Sequence, residues 1–209
     1  MLHLEALQPG TFAILKRLMA MPELNGASLV GGTALALRYG HRVSVDLDLF
    51  IEGTFHREEI ISALARDFEH EFVLNNDQAA KWAIFSAIEG IKIDIVKTLH
   101  PRITDIEHVD GIRIYIDDDI VAMKIEAILH RAQKKDFYDL HVLLKKYGVQ
   151  WAMDRHRRKY PGNSMVIGLA RAMTYFVDAE MSPEPLALHG MNWNTVKEEI
   201  AELVNDHLA

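Results

Sequence analysis

The 209-residue chain contains no cysteine. That excludes a disulfide framework, a thiolate metal site and a cysteine nucleophile, and it suits a reducing cytosol. Positive charge is also in short supply: 23 Lys and Arg stand against 30 Asp and Glu, a net charge of −7. A chain of that sign is not built to hold duplex DNA non-specifically, so any contact with nucleic acid must come from a local basic patch. The eleven histidines never fall at His-x-x-x-His or His-Glu-x-x-His spacing, and no zinc site is expected from them. The first stretch, MLHLEALQPGTFAILKRL, is charged throughout and fits neither a signal peptide nor a membrane span. A cytoplasmic protein with no membrane partner is therefore expected. Internal repeats and low-complexity linkers are missing too. What remains is an ordinary globular composition, 49% hydrophobic and 25% charged, long enough for one large domain or two small ones.

Hydrophobic spacing predicts a first helix broken by Pro9-Gly10, then a short apolar strand, ASLV, at 27–30. Gly31-Gly32-Thr33 follows, and ALALRYG reads as two helical turns ended by Gly40. A strand is expected over 43–51, an amphipathic helix over 56–69, and strands over 71–75, 81–89, 91–98 and 112–116. Glu89-Gly90 marks a hairpin. The acidic triplet Asp117–Asp119 is a helix start, and from there the pattern is helical: 120–132, 136–147, 150–159, about 163–180 and about 194–208. Thr195 and Glu198 fit a capping box. The fold class expected is α+β: a mixed sheet with flanking helices over 1–117, followed by a helical bundle over 118–209 packed against it.

One strand raises a chemical question. In HRVSVDLDL (41–49), period-2 alternation puts Val43, Val45, Leu47 and Leu49 on one face and Ser44, Asp46 and Asp48 on the other. Two carboxylates side by side repel unless a cation lies between them. Glycines ahead of a helix N-terminus, as at Gly31-Gly32-Thr33, let backbone N–H groups approach a phosphate. If the next strand pairs beside the first, turn and carboxylates meet, and Mg²⁺ shared between carboxylates and substrate phosphates is the expected use. In IKIDIVKT, Asp94 sits mid-strand among isoleucines, where burial without a charge partner is costly. It could complete a carboxylate triad around two cations and serve as general base. A surface pair with Lys92 or Lys97 is the alternative.

The stretch LVGGTALALRYGHRVSVDLDLF resembles the polymerase β nucleotidyltransferase superfamily, with its Gly-Gly turn and Asp-x-Asp strand, and more closely its AbiEii/AbiGii toxin branch. The matching residues are Gly31, Gly32, Thr33, Ala34 and Leu35, then Arg42, Ser44, Asp46 and Asp48. That branch also carries a helix lysine and a basic-Asp-x-x-Asp motif. MKIEAILHRAQKKDFYDL supplies Lys124, then Lys135, Asp136 and Asp139, with lysine where the family often has arginine. The likeness covers 31–140. It implies transfer of a nucleoside monophosphate from an NTP to an acceptor, with pyrophosphate leaving. Asp46, Asp48 and Asp94 would hold Mg²⁺, with Mn²⁺ as a substitute. Gly31, Gly32, Thr33, Arg42 and Ser44 would bind the nucleotide, and Lys124 would pair with triphosphate oxygens. Asp136 and Asp139, three apart on one helix face, would orient Lys124 or the acceptor. Such toxins typically pair with an antitoxin protein, and related enzymes act on tRNA ends, so RNA is the expected acceptor and a protein hydroxyl the alternative.

Blander readings exist for each feature. Lys124 could snorkel from a packed helix, and Asp136 could serve only the helix start. The basic run at 154–160, DRHRRKY, could track RNA phosphates or be a solvated helix end. The tryptophans read as core. A nucleotide-binding module without turnover, and an unrelated α/β domain with surface carboxylate pairs, are the competing classes.

Overall fold

The computed structural model describes residues 2–75, 81–162 and 168–209. Seven strands form one mixed sheet in the order β3-β4-β5-β2-β1-β7-β6, with β1 Ala27–Val30, β2 Leu47–Ile51, β3 Phe72–Leu74, β4 Ala83–Ile88, β5 Ile91–Lys97, β6 Glu107–Val109 and β7 Ile112–Ile114. β2 lies at the centre, antiparallel to β1 and parallel to β5. Its Leu47, Leu49 and Ile51 are buried, as alternation requires.

The expected strand over 43–51 is shorter than its pattern. Val45 is 49% exposed and does not share the buried face of Leu47. Residues 41–46 leave the sheet because their backbone bonds go elsewhere. Ser44 bridges Leu7, Arg42 bridges Ala187, the Val43 amide donates to the Leu186 carbonyl, and the Leu188 amide donates to the His41 carbonyl. The segment is held between the N-terminal residues and a ribbon at 186–188. β6 was not expected, although Asp110-Gly111 joins it to β7 with both residues at positive φ, the turn that dipeptide favours.

The helices are α1 Thr11–Ala20, α2 Gly31–Tyr39, α3 Arg57–Phe68, α4 Asp117–His130, α5 Lys134–Tyr147, α6 Val149–Lys159, α7 Leu169–Ala172 and α8 Trp193–Leu208. α2 is buried from Gly31 to Leu37 and packs against β1, β2, α4 and α5. One hydrophobic cluster runs from the sheet through α2 into α4, α5 and α8. Two expectations fail here. Residues 163–167 lie outside the described residues, and 168–180 hold only one turn of α7 and a 3₁₀ turn at Val177–Ala179, so no long helix spans 163–180. Helix α8 begins earlier than expected: Asn192 is its cap and accepts from the Thr195 amide, which places Thr195 inside the helix. Trp193 is buried, but Trp82 is exposed at the sheet edge.

The acidic triplet does more than start α4. Asp117 accepts from the Tyr147 hydroxyl at 2.7 Å and from Tyr39. Asp118 holds Arg155. Asp119, buried, accepts from the Ile103 and Thr104 amides and from Lys159 Nζ at 2.6 Å. His156 reaches Glu126 at 2.8 Å. Much of the 154–160 basic run is therefore spent fastening α6 to α4. Breaking one partner of a buried ion pair leaves an uncompensated charge. Lys159→Met should lower unfolding free energy by about 3 kcal/mol, while Arg157→Ala, which removes an exposed pair with Asp154, should change it little; urea unfolding of the two variants checks this.

Candidate active site

β1 ends at Val30, whose register partner across the antiparallel pair is Asp48. The chain then turns at Gly31 into α2. A Cβ on Gly31 would lie 2.9 Å from Asp48 Oδ2, and the residue sits at φ +70°, so both space and backbone call for glycine. Gly32 faces another crowded point. Its Cβ would lie 2.1 Å from Arg42 Nη2 and 3.2 Å from Asp139 Oδ2. The Gly-Gly pair is thus required twice, by the carboxylate on one side and by the buried guanidinium on the other.

Asp48 and Asp94 are direct register partners in the parallel pair β2–β5. Burial, and then the neighbouring Asp94, push the Asp48 carboxyl up from its ordinary value, with Lys124 and Lys92 pulling the other way. Lys92 donates to Asp94 Oδ2, while Asp94 Oδ1 is buried with no hydrogen-bond partner. Asp46 is half-exposed, with Lys135 Nζ 3.7 Å from its Oδ2. Among the described residues no three acidic or histidine side chains converge as a ready-made ligand set. Asp48 and Asp94 form a pair, and Asp46 leans toward Lys135.

Thr33 and Ser44 stand behind the turn. Thr33 donates to the Asp46 carbonyl, so the 2.8 Å contact between the two hydroxyls is one in which Ser44 donates. Both side chains hold the Asp46 backbone in place. Arg42 is also committed: Nε and Nη2 donate to Asp139 at 2.7 and 2.8 Å, and Nη1 donates to the Val43 carbonyl at 3.2 Å. The resemblance implied nucleotide-binding side chains at Thr33, Arg42 and Ser44; the geometry gives them positioning contacts.

Asp139 is fully buried, and His41 Nε2 and Lys124 Nζ reach it at 2.7 and 2.6 Å besides Arg42. Burial alone would raise its carboxyl; Arg42, Lys124 and the His41 bond hold it well below the usual carboxylate range. Asp136 takes Lys124 Nζ at 3.0 Å and Arg131 Nη2 at 3.2 Å. Burial raises its carboxyl, but Lys124 and Arg131 outweigh that and lower it. Burial would strip Lys124 of its proton, yet Asp139 and Asp136 raise its pKa and keep it charged. Both aspartates therefore bind the Lys124 ammonium. His41 was missed at the sequence level, although it adjoins Arg42 and shares its carboxylate partner.

Gly32, Asp46, Asp48, Lys124, Arg131 and Lys135 line a cleft of about 400 Å³, with residues 182–186 along another wall. Two carboxylates on a strand, a glycine turn opening a helix, and a cluster of cations facing the same cleft define a nucleotidyltransferase. A family model described as nucleotidyl transferase AbiEii toxin, type IV TA system, matches residues 13–160, and the chain belongs to that family. It is an enzyme of the nucleotidyltransferase class and of toxin type. A protein of Aquifex aeolicus (strain VF5) described as uncharacterized is 31% identical over 202 residues, 93% of this chain and 94% of that one. Among solved structures, MenT4, a nucleotidyltransferase toxin from Mycobacterium tuberculosis H37Rv, has a TM-score of 0.57 at 13% identity, covering 93% of this chain and 84% of its own. JHP933 from Helicobacter pylori has a TM-score of 0.56 at 20% identity, covering 93% and 87%. ANT(2″)-Ia, solved with adenylyl-2″-tobramycin, has a TM-score of 0.53 at 15% identity, covering 72% and 96%. The structural likenesses carry the fold.

Asp139→Asn should cost about 3–5 kcal/mol, because two buried cations lose their counter-charge. The folded-state pKa of Asp139 is depressed, so its ionic contribution is present above about pH 4 and is lost as pH falls below that value. Urea unfolding across pH should therefore show a weaker variant whose stability falls less steeply than wild type below about pH 4; parallel curves would remove the ionic account.

Proposed function

We propose that the protein transfers a nucleoside monophosphate from an NTP to a hydroxyl at an RNA end, releasing pyrophosphate. The observation that carries this is the Asp48–Asp94 pair, with its one unpartnered buried oxygen, placed beside a cationic cleft. The donor set is all-oxygen, and the crowding of Asp48 and Asp94 fits a hard divalent cation. Asp46, Asp48 and Asp94 would hold Mg²⁺, or Mn²⁺ in its place, and the cation would neutralise charge on the reacting phosphate.

The chain's own groups divide the rest of the work. The acceptor oxygen bonds to the α-phosphorus as the bond from that phosphorus to the bridging oxygen of the β-phosphate breaks, and Asp94 Oδ1 accepts the hydroxyl proton. Gly32 and the first N–H groups of α2 receive the departing phosphates. Lys124, locked in place by Asp136 and Asp139, is already oriented toward the cleft, so little reorganisation is needed when charge builds on the leaving group. Lys135 and Arg131 add cations at the rim. Lys92, half-exposed beside Asp94, gives the acceptor side a cation suited to a polynucleotide phosphate. A partner antitoxin and a cytoplasmic location complete the reading.

The test is incubation with each α-³²P-labelled NTP, Mg²⁺ and total RNA, beside the double variant Asp46→Ala, Asp48→Ala. Label is expected in a discrete RNA band and should fall by about 10²–10³-fold in the variant, the order lost with a transition-state charge stabiliser. Label on protein would move the acceptor to a side-chain hydroxyl. No label on either, in a folded protein, would overturn the proposal.

A further inference from the structure

Strand alternation buries one face of the β3–β4–β5 half of the sheet and leaves the other open. Ile91, Ile93 and Ile95 of β5 and Ile84 and Ile88 of β4 are buried in one cluster with Ile60, Leu64 and Phe68 of α3. The alternate positions are Lys92, Asp94 and Val96 on β5, Phe85 and Ala87 on β4, and Val73 on β3, and each is at least partly exposed. Register brings them together: Phe85 is opposite Asp94, Ala87 opposite Lys92, and Val73 opposite Ala87. Residues paired in this way share a face, with Cβ atoms about 5 Å apart. Asp94 is also abreast of Asp48, so the face runs from the carboxylate pair to the β3 edge. Contiguous apolar surface left to water marks a contact site. We propose that this face seats the acceptor: the unpaired end of an RNA lies across β5 and β4 with a base stacked on Phe85, bringing its terminal hydroxyl to Asp94.

The assignment rests on the transfer reading given above and adds the residue that holds the acceptor. Asp94 is absent from the walls of the cleft beside Lys124, yet 14% of its side chain is exposed. It stands on the open face, and the attacking hydroxyl must come within hydrogen-bond reach of it there. A base presents a flat face to a phenyl ring, and the phosphate beside that base calls for a cation. Lys92, 53% exposed, supplies one diagonal to Phe85. The ring lies abreast of the group that takes the proton and not at the β3 edge, which favours RNA over a docked protein. A paired base keeps its faces stacked within its own helix, so a ring of this kind selects a single-stranded end.

Phe85→Leu keeps an apolar side chain and removes the ring, and Phe85→Tyr restores the ring; Phe85→Met serves if Phe85→Leu does not fold. With Mg²⁺ and NTP saturating, the amount of total RNA giving half-maximal label should rise about tenfold in Phe85→Leu, the order of one base stack, and return in Phe85→Tyr. Half-saturation by NTP should not move. Fluorescence anisotropy reads the same contact without turnover. A short labelled single-stranded RNA should bind Phe85→Leu about tenfold more weakly than wild type, whereas its blunt duplex should bind both alike. Undiminished affinity for the single strand in the folded variant would overturn the inference. So would equal losses for strand and duplex, or a wild type that binds no single strand. Label moving to protein, with a yield that depends on Phe85, would give the face to a protein acceptor and overturn it as well. If wild type labelled nothing, the transfer reading would fall by itself, and anisotropy would still decide whether Phe85 holds a single strand.

Discussion

The geometry of the site depends on one carboxylate with no access to water. Asp139 is fully buried, and a lone charge there would cost several kcal/mol. It is tolerated because four donor atoms close on it: Arg42 Nε and Nη2, His41 Nε2 and Lys124 Nζ. Those donors come from the segment after α2 and from α4, while the carboxylate belongs to α5. A single ionic knot therefore fixes how three parts of the chain meet at the end of the sheet. The glycine turn is a consequence of the same knot, since the guanidinium fork occupies the space where a Cβ on residue 32 would stand.

Two aspartate pairs lie near each other and are driven in opposite directions by their surroundings. Asp136 and Asp139 are over-supplied with cations, so their carboxyls are lowered and stay ionised. Asp48 faces Asp94 with little compensation, and its carboxyl is raised. Environments that separate equivalent groups in this way sort them by role. The first pair holds Lys124 rigid; the second retains unmet demand for positive charge. Only the second has a buried oxygen with nothing bonded to it, which is why the chemistry is assigned there and the orienting task to the other.

Local pattern made the central elements legible. ASLV, the helix after Gly-Gly and the alternation around Asp94 all sit where their spacing puts them, because apolar periodicity and burial agree there. Resemblance named residues that periodicity could not: Arg42 and Asp139 are 97 positions apart in the chain, and nothing local announces that they meet. Three things were not legible. Val43 and Val45 continue the alternation of β2, yet the backbone of 41–44 bonds to residues 186–188 and 6–8, a long-range competition no window can see. In the DRHRRKY run, Arg155, His156 and Lys159 are taken up by the acids at 118, 126 and 119, while Arg157 and Arg158 stay exposed. The stretch 168–180 has helical spacing but folds as short turns; Phe176 packs on Phe137 and Trp193, and tertiary contact overrode propensity there.

On the proposed reading, the charges of the site set a condition on the nucleotide. Arg42 and Lys124 balance Asp136 and Asp139, and are bound to them. Lys92 and Lys135 are left to face Asp94, Asp48 and Asp46. The three carboxylates outnumber those two lysines, and Arg131 at the rim is already shared with Asp136. A free triphosphate would bring further negative charge to a site with none to spare, and its desolvation would not be repaid. A nucleotide already complexed to a divalent cation meets the opposite balance: it carries positive charge to the Asp48–Asp94 pair and presents only its outer phosphate oxygens to Lys124 and the helix amides. Binding and catalysis then draw on the same ion, and recognition of the nucleotide is conditional on the metal it brings.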